Sequence, residues 1–198
     1  MSKSKDENEE LGSEDVGQFL MKERVLILSE EVTPTKASEL VSKLLFLDKK
    51  SKTKEITLYI NSIGGHVESF FAIYDTMQQI SAPIKTICLG EALSAAAGLL
   101  ASGTPGRRFV SPNSLIMIHD IQVSEIYGSM GEVSIQMNVL KKINQSFTEV
   151  LARHSGQSLA KLRKDCSKDY YMTAEESLKY GLADKILEPK KKIPELKK

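Results

Sequence analysis

Residues 56–80 read ITLYINSIGGHVESFFAIYDTMQQI, and a change of rhythm inside them decides the fold class. ITLYIN (56–61) is a β-branched apolar run of strand length. Beyond Gly64-Gly65 the spacing lengthens, and Val67, Phe70, Phe71, Tyr74 and Met77 mark one face of a helix that ends near Ser81-Ala82-Pro83. A strand turning through two glycines into a helix is half of a β–α–β unit.

The same alternation continues on both sides. VLILS (25–29), IKTICLG (84–90) and SLIMIH (114–119) read as further buried strands. Thr33-Pro34 offers an N-cap followed by proline, and Ala37, Leu40, Val41, Leu44 and Leu45 continue as a helical face. A third helix begins near Ser94. A long fourth spans about 132–154 on Val133, Met137, Leu140, Ile143, Phe147 and Leu151, and a short one starts at the capping-box sequence Thr173-Ala-Glu-Glu. No internal repeat is present. Strands alternating with helices predict an α/β domain with a mostly parallel sheet, in which ligands gather at the carboxyl ends of the strands. Three junctions lie there: Asn61 to Gly65, Gly90 to Ser94, and His119.

Bulk properties exclude several function classes. The 198 residues are 41% apolar and 27% charged, with a net charge of +1, so nothing in the balance points to nucleic acid or a membrane surface. Cys88 and Cys166 each stand alone, without metal-ligand spacing, and read as reduced thiols. The polar start MSKSKDENEELGSED lacks the apolar region of a signal peptide, and no window suits a membrane span, so the expected location is the cytoplasm. The expected organisation is a flexible segment over 1–16, one folded domain over 17–188, and a flexible lysine-rich tail over 189–198.

The chemistry-bearing residues cluster at the three junctions. Gly64-Gly65 can leave backbone N–H groups uncovered at a helix start, where negative charge is favoured; the pair also suits a tight turn with no further role. Ser94, set in LGEALSAAAGLLASG (89–103), follows a strand and opens a helix. It reads as a nucleophile or as a small spacer, and Ala92 and Ala96 stand where a hydrolase nucleophile elbow carries glycines. His119 ends a strand and suits a general base. His66 and His154 fit structural roles at helix ends. Asp169, Asp165 and Asp120 compete as the acid, and spacing does not choose among them. A serine, a histidine and an acid on the loops of such a sheet suggest a hydrolase.

Taken in order, MKERVLIL, LLFLD, ITLYINSIGGHVESFFAIYDTMQQI, TICLGEALSAAAGLLASG, RRFVSPNSLIMIH, HSGQSLAKLRKD and YYMTAEESLKYGLADKIL resemble the signature segments of the Clp protease proteolytic subunit family over about residues 20–187. The resemblance implies a ClpP/crotonase-like superhelix of repeated ββα units with a protruding handle helix. It implies Ser94 as nucleophile, His119 as base, Asp169 as the acid that orients it, and the N–H groups of Gly65 and Ala95 as the oxyanion hole. It further implies a serine endopeptidase that cuts unfolded polypeptides inside two stacked heptameric rings. No metal or organic cofactor is implied; ATP is used by a partner AAA+ unfoldase.

Departures from the family pattern qualify the picture. Ile63 replaces a proline, Glu91 a glutamine and Ala95 a methionine, and His119 is followed by Asp-Ile rather than Gln-Pro. The handle-strand sequence IQVSEIYGSMGE lacks the usual glycines. Lys168 replaces an arginine that pairs across the ring interface, which suggests Glu132 as its partner and loses the bidentate fork. Leu45, Tyr59, Phe109 and Leu187 match the pocket that docks the unfoldase, whereas Thr57 and Gln79 replace aromatics there, removing the side chains that dominate interface hot spots. These differences suggest a second paralogue working beside another ring subunit. The competing readings are a silent structural or regulatory subunit that assembles with and activates another, and a crotonase-type acyl-CoA enzyme by fold analogy.

Overall fold

The computed structural model describes residues 16–188. Expectations for 1–15 and for the 189–198 tail lie outside those residues. The chain runs α1 (Val16–Lys22), β1 (Val25–Leu28), α2 (Pro34–Lys50), β2 (Ile56–Ser62), α3 (Val67–Gln79), β3 (Ile84–Leu93) and α4 (Ala95–Ala101). It continues through β4 (Arg108–Val110), β5 (Leu115–Ile118), α5 (Met130–Ser155), α6 (Leu159–Asp165), β6 (Tyr170–Met172), α7 (Ala174–Tyr180) and β7 (Lys185–Ile186).

Alternation within β2 sets the layers. Ile56, Leu58, Ile60 and Ser62 are buried, while Thr57 and Tyr59 turn to the other face. The buried face packs under α2 and α3. Helix α2 starts where Thr33 accepts a hydrogen bond from the Lys36 N–H and Pro34 occupies the first turn, as its sequence predicts. The sheet has seven strands in the order β1-β2-β3-β4-β7, with β5 attached to β3 and β6 to β5. Every pairing is parallel except β5 with β6.

Strand β3 is longer than its sequence suggests. It passes through Gly90, at φ +94°, and continues to Leu93. Residues Thr86 to Cys88 pair with β4, whereas Glu91 to Leu93 pair with β5. The register against β2 shifts at the bend, from Ile60 opposite Cys88 to Ser62 opposite Ala92. The bend favours glycine because its φ lies where L side chains are strained, and a Cβ there would also displace the Asn61 side-chain amide.

Helix α4 is buried at every position, which explains its composition. A Cβ on Gly98 would meet Phe70 Cε2 at 2.6 Å, so the missing side chain lets α4 lie against the Phe70–Phe147 edge-to-face pair. The long helix α5 is two helices in packing terms. Its second half buries Phe147, Val150 and Leu151, while Met130, Ile135, Met137 and Val139 in the first half are exposed. The spacing places Met137 on the core face, yet it is 40% exposed because that half projects past the body. The helix also starts earlier than its apolar pattern, at a capping box in which Ser129 and Glu132 satisfy each other's backbone N–H groups.

The chain differs from its sequence reading in other short elements. Val16, expected in the flexible segment, opens α1, and α6, β4, β6 and β7 fall outside the periodic runs. IQVSEIYGSMGE, expected to hold a strand, is irregular over 121–128 because no strand of the chain lies beside it among the described residues. Arg108 ties the sheet to three helix ends. Its Nε and Nη2 fork onto the Asp184 carboxylate, and Nη1 donates to the carbonyls of Ala101, His154 and Gly181. Among the described residues no helix is long and apolar enough to cross a membrane.

Candidate active site

Strand register brings the three expected side chains together. Leu93 on β3 pairs with Met117 on β5, so Ser94 and His119 leave neighbouring parallel strands at the same end. Ile118 on β5 pairs antiparallel with Tyr170 on β6, which puts Asp169, one residue earlier, abreast of His119. His119 Nε2 lies 2.8 Å from Ser94 Oγ, and Nδ1 lies 3.2 Å from Asp169 Oδ1. His119 is largely buried, whereas the Asp169 side chain is 47% exposed.

The competing acids are occupied elsewhere. Asp165 accepts from the Tyr180 hydroxyl at 2.7 Å and pairs with Lys161. Burial would raise its pKa, but those hydrogen bonds outweigh burial and hold the carboxyl below its ordinary value. Asp120 Oδ1 accepts from Asn144 Nδ2 at 2.9 Å. His154 packs edge-on against Tyr74 away from the cleft; burial, then Arg108 and Arg153, lower its pKa. His66 caps the start of α3 through its backbone and lines the cleft without touching Ser94.

Ser94 sits at φ 55° and ψ −122°, a backbone region that costs a non-glycine residue about 1–3 kcal/mol. It thus makes the sharp strand-to-helix turn of a nucleophile elbow without the two flanking glycines. Buried Ala92 and Ala96 stand in those places, and Gly64 supplies the missing space from outside the turn. A Cβ on Gly64 would lie 2.8 Å from Ser94 Cβ and 2.5 Å from the Leu93 carbonyl. The Ser94 hydroxyl makes no cap hydrogen bond, which leaves it to His119.

Gly65, at φ +148°, bridges to Val32, with the Val32 N–H donating to the Gly64 carbonyl and the His66 N–H to the Val32 carbonyl. The Gly65 and Ala95 N–H groups donate to no protein acceptor among the described residues. Both residues line the same cleft as Ser94, His119 and Asp169, a cavity of about 580 Å³. Ile63, Val67, Met117, Leu140 and Phe147 form apolar wall. The arrangement can take a proton from Ser94, receive an acyl group, and offer two unsatisfied donors to a developing oxyanion. Cys88 and Cys166 are free and buried, and burial pushes their thiols up to about 11 and about 12, so neither is a rival nucleophile. Among the described residues no group of three His, Cys, Asp or Glu side chains could hold a metal.

Residues 7–190 match the family model described as Clp protease. The chain belongs to the Clp protease family. Membership supports a peptidase, and the mixed α/β architecture with its seven-stranded sheet agrees with the ClpP fold. The Clp protease family also implies, in general, assembly into rings with an unfoldase.

The expected docking residues divide between layers. Thr57, Tyr59 and Phe109 share the sheet face opposite α2 and α3, around Ile87, and Lys85 lies over the Phe109 ring. Leu187 follows β7, and its N–H donates to the Val110 carbonyl. Leu45 and Gln79 are exposed on α2 and α3, outside that sheet face. One group that sequence reasoning missed is Gln122, whose Nε2 lies 3.2 Å from His119 Nδ1. Nothing in the spacing of IQVSEIYGSMGE singles it out.

Proposed function

We propose that this Clp protease family chain is a serine endopeptidase that cleaves unfolded polypeptides to short peptides inside a ring chamber. The observation that carries the reading is the Ser94 hydroxyl, free of any capping role and 2.8 Å from His119 Nε2, beside two uncommitted N–H groups. His119 takes the Ser94 proton as Oγ attacks the peptide carbonyl carbon. The oxyanion rests on the N–H groups of Gly65 and Ala95, each worth about 3–4 kcal/mol of barrier in such sites. Protonated His119 then gives its proton to the leaving amine, and the peptide bond breaks. Water, deprotonated by His119, attacks the acyl-enzyme and frees Ser94. Asp169 orients the ring and stabilises its charged form. No cofactor enters these steps; ATP belongs to the AAA+ unfoldase that feeds the chamber.

Two stacked heptameric rings fit the exposed apolar half of α5, which a single chain leaves uncovered. A second reading is a structural or regulatory subunit beside an active paralogue. It is supported by the exposure of Asp169 and by Thr57 and Gln79 in the docking set. Fluorophosphonate labelling of Ser94, in the protein alone and mixed with a partner subunit, separates the two. Labelling alone supports the peptidase, labelling only in the mixture supports an activation partnership, and none in assembled rings supports the structural role.

A further inference from the structure

One side chain of α5 holds both residues that follow His119. Asn144 Oδ1 accepts from the Ile121 N–H at 3.0 Å, and Asn144 Nδ2 donates to Asp120 Oδ1 at 2.9 Å. The amide has no second orientation that serves both neighbours, because a backbone N–H needs an oxygen and a carboxylate oxygen needs an N–H. Asp120 and Ile121 are the Asp-Ile pair singled out in the sequence, and a proline at 121 would have no N–H to give. The tie joins two parts of one cleft lining. Leu140 and Phe147 lie about a turn to either side of Asn144 on α5 and line the cavity, and so does the segment from Ile121 to Glu125. Among the described residues 121–128 joins no strand, and its next hydrogen bond to α5 runs from Gln136 Nε2 to the Tyr127 carbonyl at 2.9 Å.

We propose that Asn144 is a positioning residue that holds 121–125 against α5 as a wall of the cleft, and that it governs polypeptide binding rather than proton transfer at His119. The base has anchors of its own. Met117 pairs with Leu93, and the Asp120 N–H donates to the Cys166 carbonyl at 2.7 Å. Those bonds remain without Asn144, whereas Ile121 loses its acceptor and the segment is free to draw away from Leu140 and Phe147. The tie also links the cleft to the outside of the chain. Met130, Ile135, Met137 and Val139 are exposed on the projecting half of α5, so a surface that covers them bears on the same helix that sets the wall. The effect on substrate rests on the peptidase reading; the held wall does not.

The test compares the full chain with three variants. Asn144→Leu removes both hydrogen bonds. Asn144→Asp keeps an acceptor for Ile121 but sets two carboxylates together, and Asn144→Asp combined with Asp120→Asn exchanges donor and acceptor and rebuilds the tie. Hydrogen exchange over 121–128, read by mass spectrometry, should quicken about tenfold in Asn144→Leu, the scale of one lost hydrogen bond, and by less in Asn144→Asp. KM for a fluorogenic peptide should rise in the same order, with kcat and the labelling rate of a small fluorophosphonate unchanged. The exchanged pair should return both exchange and KM to the wild-type values. Exchange or KM left unchanged in both single variants overturns the proposal. So does a fall in kcat and labelling at constant KM, which would place Asn144 with the base, and so does an exchanged pair no better than Asn144→Asp. Faster exchange that the exchanged pair reverses, with no cleavage or labelling in any form, upholds the held wall and removes the peptidase reading instead.

Discussion

Arg108 with Asp184, and His119 with Ser94 and Asp169, are polar clusters that each join distant parts of this chain, and they are built on opposite plans. Around Arg108 the geometry is closed: the guanidinium forks onto one carboxylate and reaches three carbonyl groups, with Asp184 also accepting from the Arg108 backbone N–H. Around His119 one ring nitrogen faces Ser94 Oγ and the other faces Asp169 Oδ1 and Gln122 Nε2, and the direction of each hydrogen bond follows the position of the ring proton. A cluster that holds a fold together leaves its groups with nothing to exchange. One that moves protons keeps hydrogen bonds whose direction can reverse.

Substitutions that break the comparison begin at the reactive cluster. Ser94→Ala should lower peptide cleavage by about 10³-fold or more and abolish fluorophosphonate labelling, with the urea midpoint little changed. Cleavage at the wild-type rate would remove Ser94 as nucleophile. Asp169→Asn should cost on the order of 10²–10⁴-fold in kcat, because an amide no longer enforces a proton on Nδ1. An unaltered kcat would mean that the half-exposed carboxylate does not orient the base.

The closed cluster should respond in stability. Arg108→Met leaves Asp184 without its cation and should cost about 3 kcal/mol in urea unfolding. Gly98→Ala drives a methyl into the Phe70 ring, and about 1–3 kcal/mol of destabilisation should follow. The smallest effect is on pH dependence. Burial raises the Asp184 carboxyl, but its hydrogen bonds with Arg108 prevail, and the folded-state pKa lies below the unfolded value near 4. The unfolded chain thus binds the proton first. The contribution is complete at neutral pH, declines as pH falls through about 4, and is lost below the folded-state value. Asp184→Asn should flatten that part of the acid-unfolding curve, and an unchanged slope would place the titration elsewhere.

Much of this was legible in the residues, and the limits have physical causes. The strand–Gly-Gly–helix rhythm of 56–80 and the capping signals at Thr33 and Thr173 are local, and the structure repeats them. The continuation of β3 past Gly90 was hidden, because a bend made by register against two different neighbours leaves no period in one strand. Met137 was misplaced for a related reason: helical spacing shows which residues share a face, not how far the body extends beneath it. Choosing Asp169 from the residues alone required the antiparallel register of β6 against β5, a contact such as Ile118 with Tyr170 between segments far apart in sequence. Gln122 was invisible because its nearness to His119 depends on the path of an irregular segment, which leaves no period in the sequence.

The bend in β3 has a consequence for how such a centre can be regulated. Ser94 and His119 are carried by two strands zipped side by side at Leu93 and Met117, and the Ser94 N–H itself donates to the Met117 carbonyl. The spacing between nucleophile and base is therefore woven into the fabric of the sheet and cannot be loosened without unravelling it. Gln122 lies on the selvedge, in the stretch over 121–128 that joins no strand among the described residues. Any signal that silences or awakens this centre reversibly must arrive from that margin.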